Sequence, residues 1–90
     1  MTCVVTIDEL KTRLEAIESL HILCTSDARG MYKVWSGRWM VEVKFICLDE
    51  PCVLVVSQAV QNPRFFFFVS DILEFLIELG CDSAHIPLVV

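Results

Sequence analysis

The stretch Arg38-Trp39-Met40-Val41-Glu42-Val43-Lys44-Phe45-Ile46-Cys47-Leu48 decides the fold class. Val41, Val43, Phe45 and Cys47 recur at every second position, with Met40, Glu42, Lys44 and Ile46 between them, which is the period of a strand and not of a helix. One face is apolar and the other carries charge, the pattern of a sheet with one buried and one half-wet side. Working upstream, Ser36-Gly37 suits a tight hairpin in which glycine supplies a positive φ, and residues 31–35 read as the preceding strand. Ser26-Asp27-Ala28-Arg29-Gly30 has the composition of a turn, and residues 20–25 read as a strand before it.

The N-terminal segment carries a capping signature. Thr6 stands three residues before Glu9, and Val5 can staple against Leu10. Ile7, Leu10, Leu14, Ile17 and His21 continue at helical spacing, so the expected helix runs to about Ser19. Downstream of the central strand, Leu48-Asp49-Glu50-Pro51 turns the chain, because proline has no amide hydrogen to give a ladder. Residues 52–57 form a further strand, 58–64 a connection, and Phe65-Phe66-Phe67-Phe68-Val69 a fifth strand. Ser70 or Asp71 caps a helix over residues 72–79, and Gly80 sits where a left-handed terminating residue is wanted. Residues 86–90 are read as lying along a sheet edge.

The order is therefore α-β-β-β-β-(β)-α. It implies an α+β fold, an antiparallel four- to five-stranded meander sheet packed by an N-terminal and a C-terminal helix. The 90 residues fit a single domain over 1–90. Apolar residues make up 56% and mean hydropathy is +0.63, so core material is plentiful while the interior volume of so short a chain is small. Asp71, Glu74 and Glu78 interrupt the most apolar stretch, residues 65–79, which argues against a membrane span. The first eight residues have no basic region before an apolar block, so the expectation is a cytoplasmic protein with no membrane attachment.

Cys3, Cys24, Cys47, Cys52 and Cys81 are an odd number without a CxxC pair, so reduced, buried thiols are expected. Cys47 and Cys52 flank a four-residue turn and Cys24 or His21 could join them, yet neither CxxC nor HxxxH spacing supports zinc. A cysteine nucleophile would need a nearby histidine, and only His21 and His85 exist, one at a helix-to-strand junction and one in the tail. Gly30, Gly37 and Gly80 stand alone, which excludes the glycine-rich phosphate cradles. The sequence thus implies no enzyme, no metal and no cofactor.

Two features call for a partner. Around the central hairpin Arg29, Tyr32, Lys33, Trp35, Arg38, Trp39 and Lys44 interleave cations and aromatics, a combination that holds single-stranded nucleic acid. The net charge of −5 makes nucleic acid the weaker alternative, and cross-strand aromatic pairing accounts for the same residues. The second feature is an excess of apolar surface. Residues 52–56 and 65–69 are apolar on both faces of their strands, and the last helix carries Ile72, Leu73, Phe75, Leu76, Ile77 and Leu79, wider than one stripe. Such a surplus points to a non-enzymatic interaction module, a small accessory, inhibitor or subunit protein. It would dock on another protein or on a second copy of itself through Trp35, Trp39, Phe65, Phe67 and Phe75.

Overall fold

A computed structural model describes residues 3–90 of the chain. It has the elements β1 (Cys3–Val5), α1 (Ile7–Lys11), a 3₁₀ turn (Leu14–Ala16), β2 (Ile17–Met31), β3 (Val34–Phe45), β4 (Cys52–Leu54), β5 (Phe66–Phe68) and α2 (Val69–Glu78). The strands form one five-stranded sheet in the order β1-β4-β3-β2, with β5 also pairing β3. The α+β class is therefore observed, but the sheet is mixed: β1 runs parallel to β4 in the register Cys3↔Cys52, Val4↔Val53 and Val5↔Leu54. A meander cannot produce that pairing, since parallel neighbours need a long crossover between them. Two compact units emerge among the described residues, one of 3–21 with 41–64 and one of 22–40 with 65–90.

In the first unit the apolar alternation of β3 holds as far as Phe45, where the strand ends, so Cys47, read on the same buried face, is exposed instead. Val41, Val43 and Phe45 are buried with Val5, Leu10, Cys52, Leu54 and Val55, while Glu42 and Lys44 stay half-buried. β4 sits between β1 and β3, paired antiparallel to the latter at Glu42↔Val53 and Val43↔Cys52. The Thr6 capping box forms in full. The Glu9 amide donates to Thr6 Oγ1 at 3.2 Å and the Thr6 amide donates to Glu9 Oε1 at 3.3 Å. Gln58 Nε2 also donates to Glu9 Oε1, at 2.6 Å, and these bonds, Gln58 first, hold the Glu9 carboxyl below its ordinary range.

The helix that begins there is much shorter than its pattern implied. Thr12 ends it: its hydroxyl donates back to the Glu9 carbonyl at 2.7 Å, and its amide also donates to that carbonyl, at 3.2 Å. Ile17, placed in the helix by its spacing, instead opens β2, where the Ile46 amide donates to the Ala16 carbonyl at 2.9 Å.

In the second unit, β2 continues without a break through the predicted turn at residues 26–30. The reversal falls at Tyr32 and Lys33, with φ of 51° and 68°. Two successive positive φ angles are what a two-residue hairpin of the primed type demands, because only its twist matches that of the flanking strands. Gly30 and Gly37 serve a different purpose from the one their positions suggested. A Cβ on Gly30 would stand 3.0 Å from the Trp35 indole, and one on Gly37 would stand 2.9 Å from the Trp39 ring and 3.0 Å from the Ser26 carbonyl oxygen. They let tryptophan rings and backbone approach closely within the hairpin.

β5 pairs β3 antiparallel at Ser36↔Phe68 and Trp39↔Phe66, with one extra residue on β3 between those pairs. That is a β-bulge, and Gly37 lies in it. α2 starts at Val69, earlier than the residues 72–79 expected. Its N-cap position is Phe68, which makes no side-chain cap, so neither Ser70 nor Asp71 is the cap, and Asp71 lies in the first turn instead. A negative charge there complements the helix dipole. Ile72, Phe75, Leu76 and Leu79 form the buried stripe of α2, and the Phe75 ring lies 5.3 Å from that of Phe66. The C-terminus ends as read: Gly80 adopts φ +82°, its amide donates to Ile77 and the Cys81 amide donates to Leu76, which is a Schellman motif.

The cysteines depart from expectation. Cys3 and Cys52 form a disulfide, their Cα atoms 4.4 Å apart across the parallel β1–β4 pair, while Cys24, Cys47 and Cys81 are free. Uniformly reduced thiols are therefore not what the fold contains. The sequence could not show this pairing because it depends on β1, which was read only as the approach to the first helix. No helix among the described residues is long and apolar enough to cross a membrane.

Candidate functional site

Among the exposed apolar side chains of the second unit are those of β5 and α2. Alternation along Phe66–Phe68 buries Phe66, while Phe67 is 53% exposed, and Phe68, where the chain turns into α2, is 43% exposed. On α2 the buried stripe leaves Leu73 and Ile77, four residues apart and hence on one face, 45% and 71% exposed. Trp35 is half-exposed, its ring against Gly30.

An open groove of about 390 Å³ is lined by Ser26, Asp27 and Arg29 of β2, Ser36 and Gly37 of β3, and Phe67 and Phe68 of β5. Its walls combine one cation, one carboxylate, two hydroxyls and two phenyl rings. The lining suits a segment that brings an apolar or aromatic group to the phenylalanines and polar atoms to the strand side.

The five aromatics singled out from the sequence separate by burial. Trp39 and Phe75 are interior, at 0% and 5% exposure, whereas Trp35 and Phe67 face outward and Phe65 is half-buried. The five basic or aromatic residues of the nucleic-acid alternative also separate. Arg29, Tyr32 and Lys33 are exposed, the last two as the hairpin tip. Arg38 is engaged within its unit: its Nε donates to Thr25 Oγ1 at 2.9 Å and its guanidinium lies 5.2 Å from the centre of the Phe65 ring. Lys44 belongs to the other unit, where it pairs with Glu18 at 3.4 Å and donates to the carbonyls of Phe45 and Leu48.

No family model matches the chain, and no curated protein or solved structure does either. What the groove and its surroundings do has to be argued from their chemistry.

Sequence reasoning missed Phe68, Ser26 and Asp27. Phe68 should point inward by strand parity with Phe66, but the change from β5 into α2 turns it towards the groove. Ser26 and Asp27 were set aside as turn residues, and their place in a strand depends on a hairpin whose reversal lies six residues further on.

Proposed function

We propose that the chain is a non-enzymatic interaction module, a small accessory, inhibitor or subunit protein that docks on another protein or on a second copy of itself. The observation that carries this reading is the pair of half-exposed phenylalanines, Phe67 and Phe68, on a groove that also presents Arg29 and Asp27. Large aromatics beside polar groups are the anchors of protein interfaces, because ring burial supplies affinity while the polar groups fix orientation. Trp35, Leu73 and Ile77 extend the apolar supply on the same unit. Trp39 and Phe75 are interior and so are not among the contact residues of the module.

The nucleic-acid alternative draws on fewer residues than its sequence pattern promised, since Arg38 and Lys44 already have local partners. The cytoplasm is the location proposed with the interaction reading, and the Cys3–Cys52 bond is the feature that weighs against it, because such bonds persist mainly in oxidising compartments.

Native mass spectrometry of the wild-type chain and of Phe67→Glu tests the proposal. The expected result is an assembly, either a dimer or a complex with a co-purifying protein, that the substitution dissociates while the thermal melt of the chain is kept. An assembly that survives Phe67→Glu unchanged, or a wild-type chain isolated from its native source as a bare monomer, would refute it.

A further inference from the structure

Residues 86–90 contain no helix or strand, yet three hydrogen bonds tie them to the second unit, and every one uses their main chain. The Trp39 indole Nε1–H donates to the Pro87 carbonyl at 2.7 Å. The Ala28 amide donates to the Leu88 carbonyl at 2.8 Å, and the Val90 amide donates to Asp27 Oδ1 at 2.8 Å. Trp39 is fully buried, so its indole N–H has no water to turn to, and leaving such a donor unmet is costly. The side chains of the segment are treated differently. Leu88, Val89 and Val90 are 45%, 69% and 81% exposed.

Ile86 and Pro87 are half-buried, so it is residues 88–90 that the unit holds chiefly by backbone, with their side chains left exposed. That is how a sheet edge accepts an added strand, with main-chain bonds giving affinity and alternate side chains left to pockets. β2 stands at the end of the sheet order, the position where such an addition takes place. Past Pro87 the segment buries little apolar surface, so residues 88–90 can open locally while the Trp39 donor needs a carbonyl from whatever takes their place. Asp27 belongs both to this contact and to the groove lined by Arg29, Phe67 and Phe68, which residues 86–90 do not line. An incoming segment that repeats the backbone bonds and sends one apolar side chain into that groove would gain contacts the chain's own segment does not make.

We propose that the outer edge of β2 at Asp27 and Ala28, backed by the Trp39 indole, is a peptide-binding site that residues 86–90 fill in cis. Its partner is an extended, uncharged apolar segment of another protein, which enters by displacing this strap. The proposal rests on the interaction reading for the class of partner and adds the form in which that partner is recognised.

The test uses the full chain and a synthetic peptide of residues 84–90, Ala-His-Ile-Pro-Leu-Val-Val, with binding followed by calorimetry and by hydrogen exchange at the Ala28 amide. Val90→Pro removes the amide that Asp27 accepts and so loosens the strap, at a position too exposed to affect the core. Wild type should bind the peptide weakly and Val90→Pro at least fivefold more tightly, with the Ala28 amide remaining protected in the saturated complex. Adding Asp27→Ala to Val90→Pro should abolish the gain. Leu88→Lys should leave wild-type behaviour unchanged, because that side chain is not read. Equal affinity of wild type and Val90→Pro, or an Ala28 amide that exchanges freely with peptide bound, would overturn the proposal, as would release of the strap by Leu88→Lys. Loss of this binding while Phe67→Glu still dissociates an assembly removes the edge site alone, and the opposite pattern removes the Phe67 surface alone.

Discussion

Reducing the Cys3–Cys52 bond should cost this chain a large share of its stability. The bond spans a sequence separation of 49, and the loop-closure entropy it removes from the unfolded chain corresponds to about 4 kcal/mol at 25 °C. Residual structure in the reduced, unfolded chain lowers that figure, so a loss of about 2–4 kcal/mol is expected. Small domains are stable by only about 5–15 kcal/mol, which makes this loss decisive. Its effect should centre on β1, a strand of three residues held otherwise by parallel pairing with β4 and by the burial of Val5. The assay is urea unfolding followed by tryptophan fluorescence, with and without dithiothreitol. At a slope of about 1.5–2 kcal/mol per M the midpoint should fall by roughly 1–2.7 M. Coincident oxidised and reduced curves would refute the argument, and so would an intact mass showing that the purified protein carries no disulfide.

Three further perturbations have defined outcomes. Gly37→Ala places a methyl group 2.9 Å from the buried Trp39 ring and 3.0 Å from the Ser26 carbonyl oxygen, so it should destabilise the chain by about 1–3 kcal/mol in the same urea assay. An effect within 0.5 kcal/mol would mean that the bulge yields easily, on the usual scale for surface substitutions. Replacing the hairpin tip by Tyr32→Asn with Lys33→Gly should raise stability by about 1 kcal/mol, since the residues there have φ of 51° and 68° and asparagine-glycine accepts both; a lower melting temperature would show that the reversal lies elsewhere. Glu9 has its folded-state pKa lowered from an ordinary 4.5, so its carboxylate adds stability above that pH and loses the contribution as pH falls through the folded value. Glu9→Gln should therefore flatten the acid side of the stability profile measured by thermal melts, and an unchanged slope would dismiss the role of the Gln58 and Thr6 bonds.

Local chemistry was legible wherever a few neighbouring residues suffice. The Thr6 capping box, the alternation at Val41, Val43 and Phe45, and the Gly80 terminator each satisfy their own hydrogen bonds or periodicity within one or two turns of chain. The apolar surplus of residues 65–79 was also visible, because composition counts side chains without needing to place them.

Tertiary structure decided the rest. Whether Leu14 and Ile17 extend a helix or lead into β2 depends on what that strand gains from its neighbours, as at the Ile46–Ala16 bond, which helical spacing cannot reveal. Glycine marks turns in most hairpins, but here Gly30 and Gly37 answer to the bulk of Trp35 and Trp39, and the reversal passes to Tyr32 and Lys33. The partner of Cys3 lies 49 residues away and exists only because β1 joins the sheet in parallel. Alternation likewise marks which side chains are apolar but not which are covered. Trp39 went inside and Phe67 stayed out because burial depends on what packs against each face, a non-local property of the folded chain.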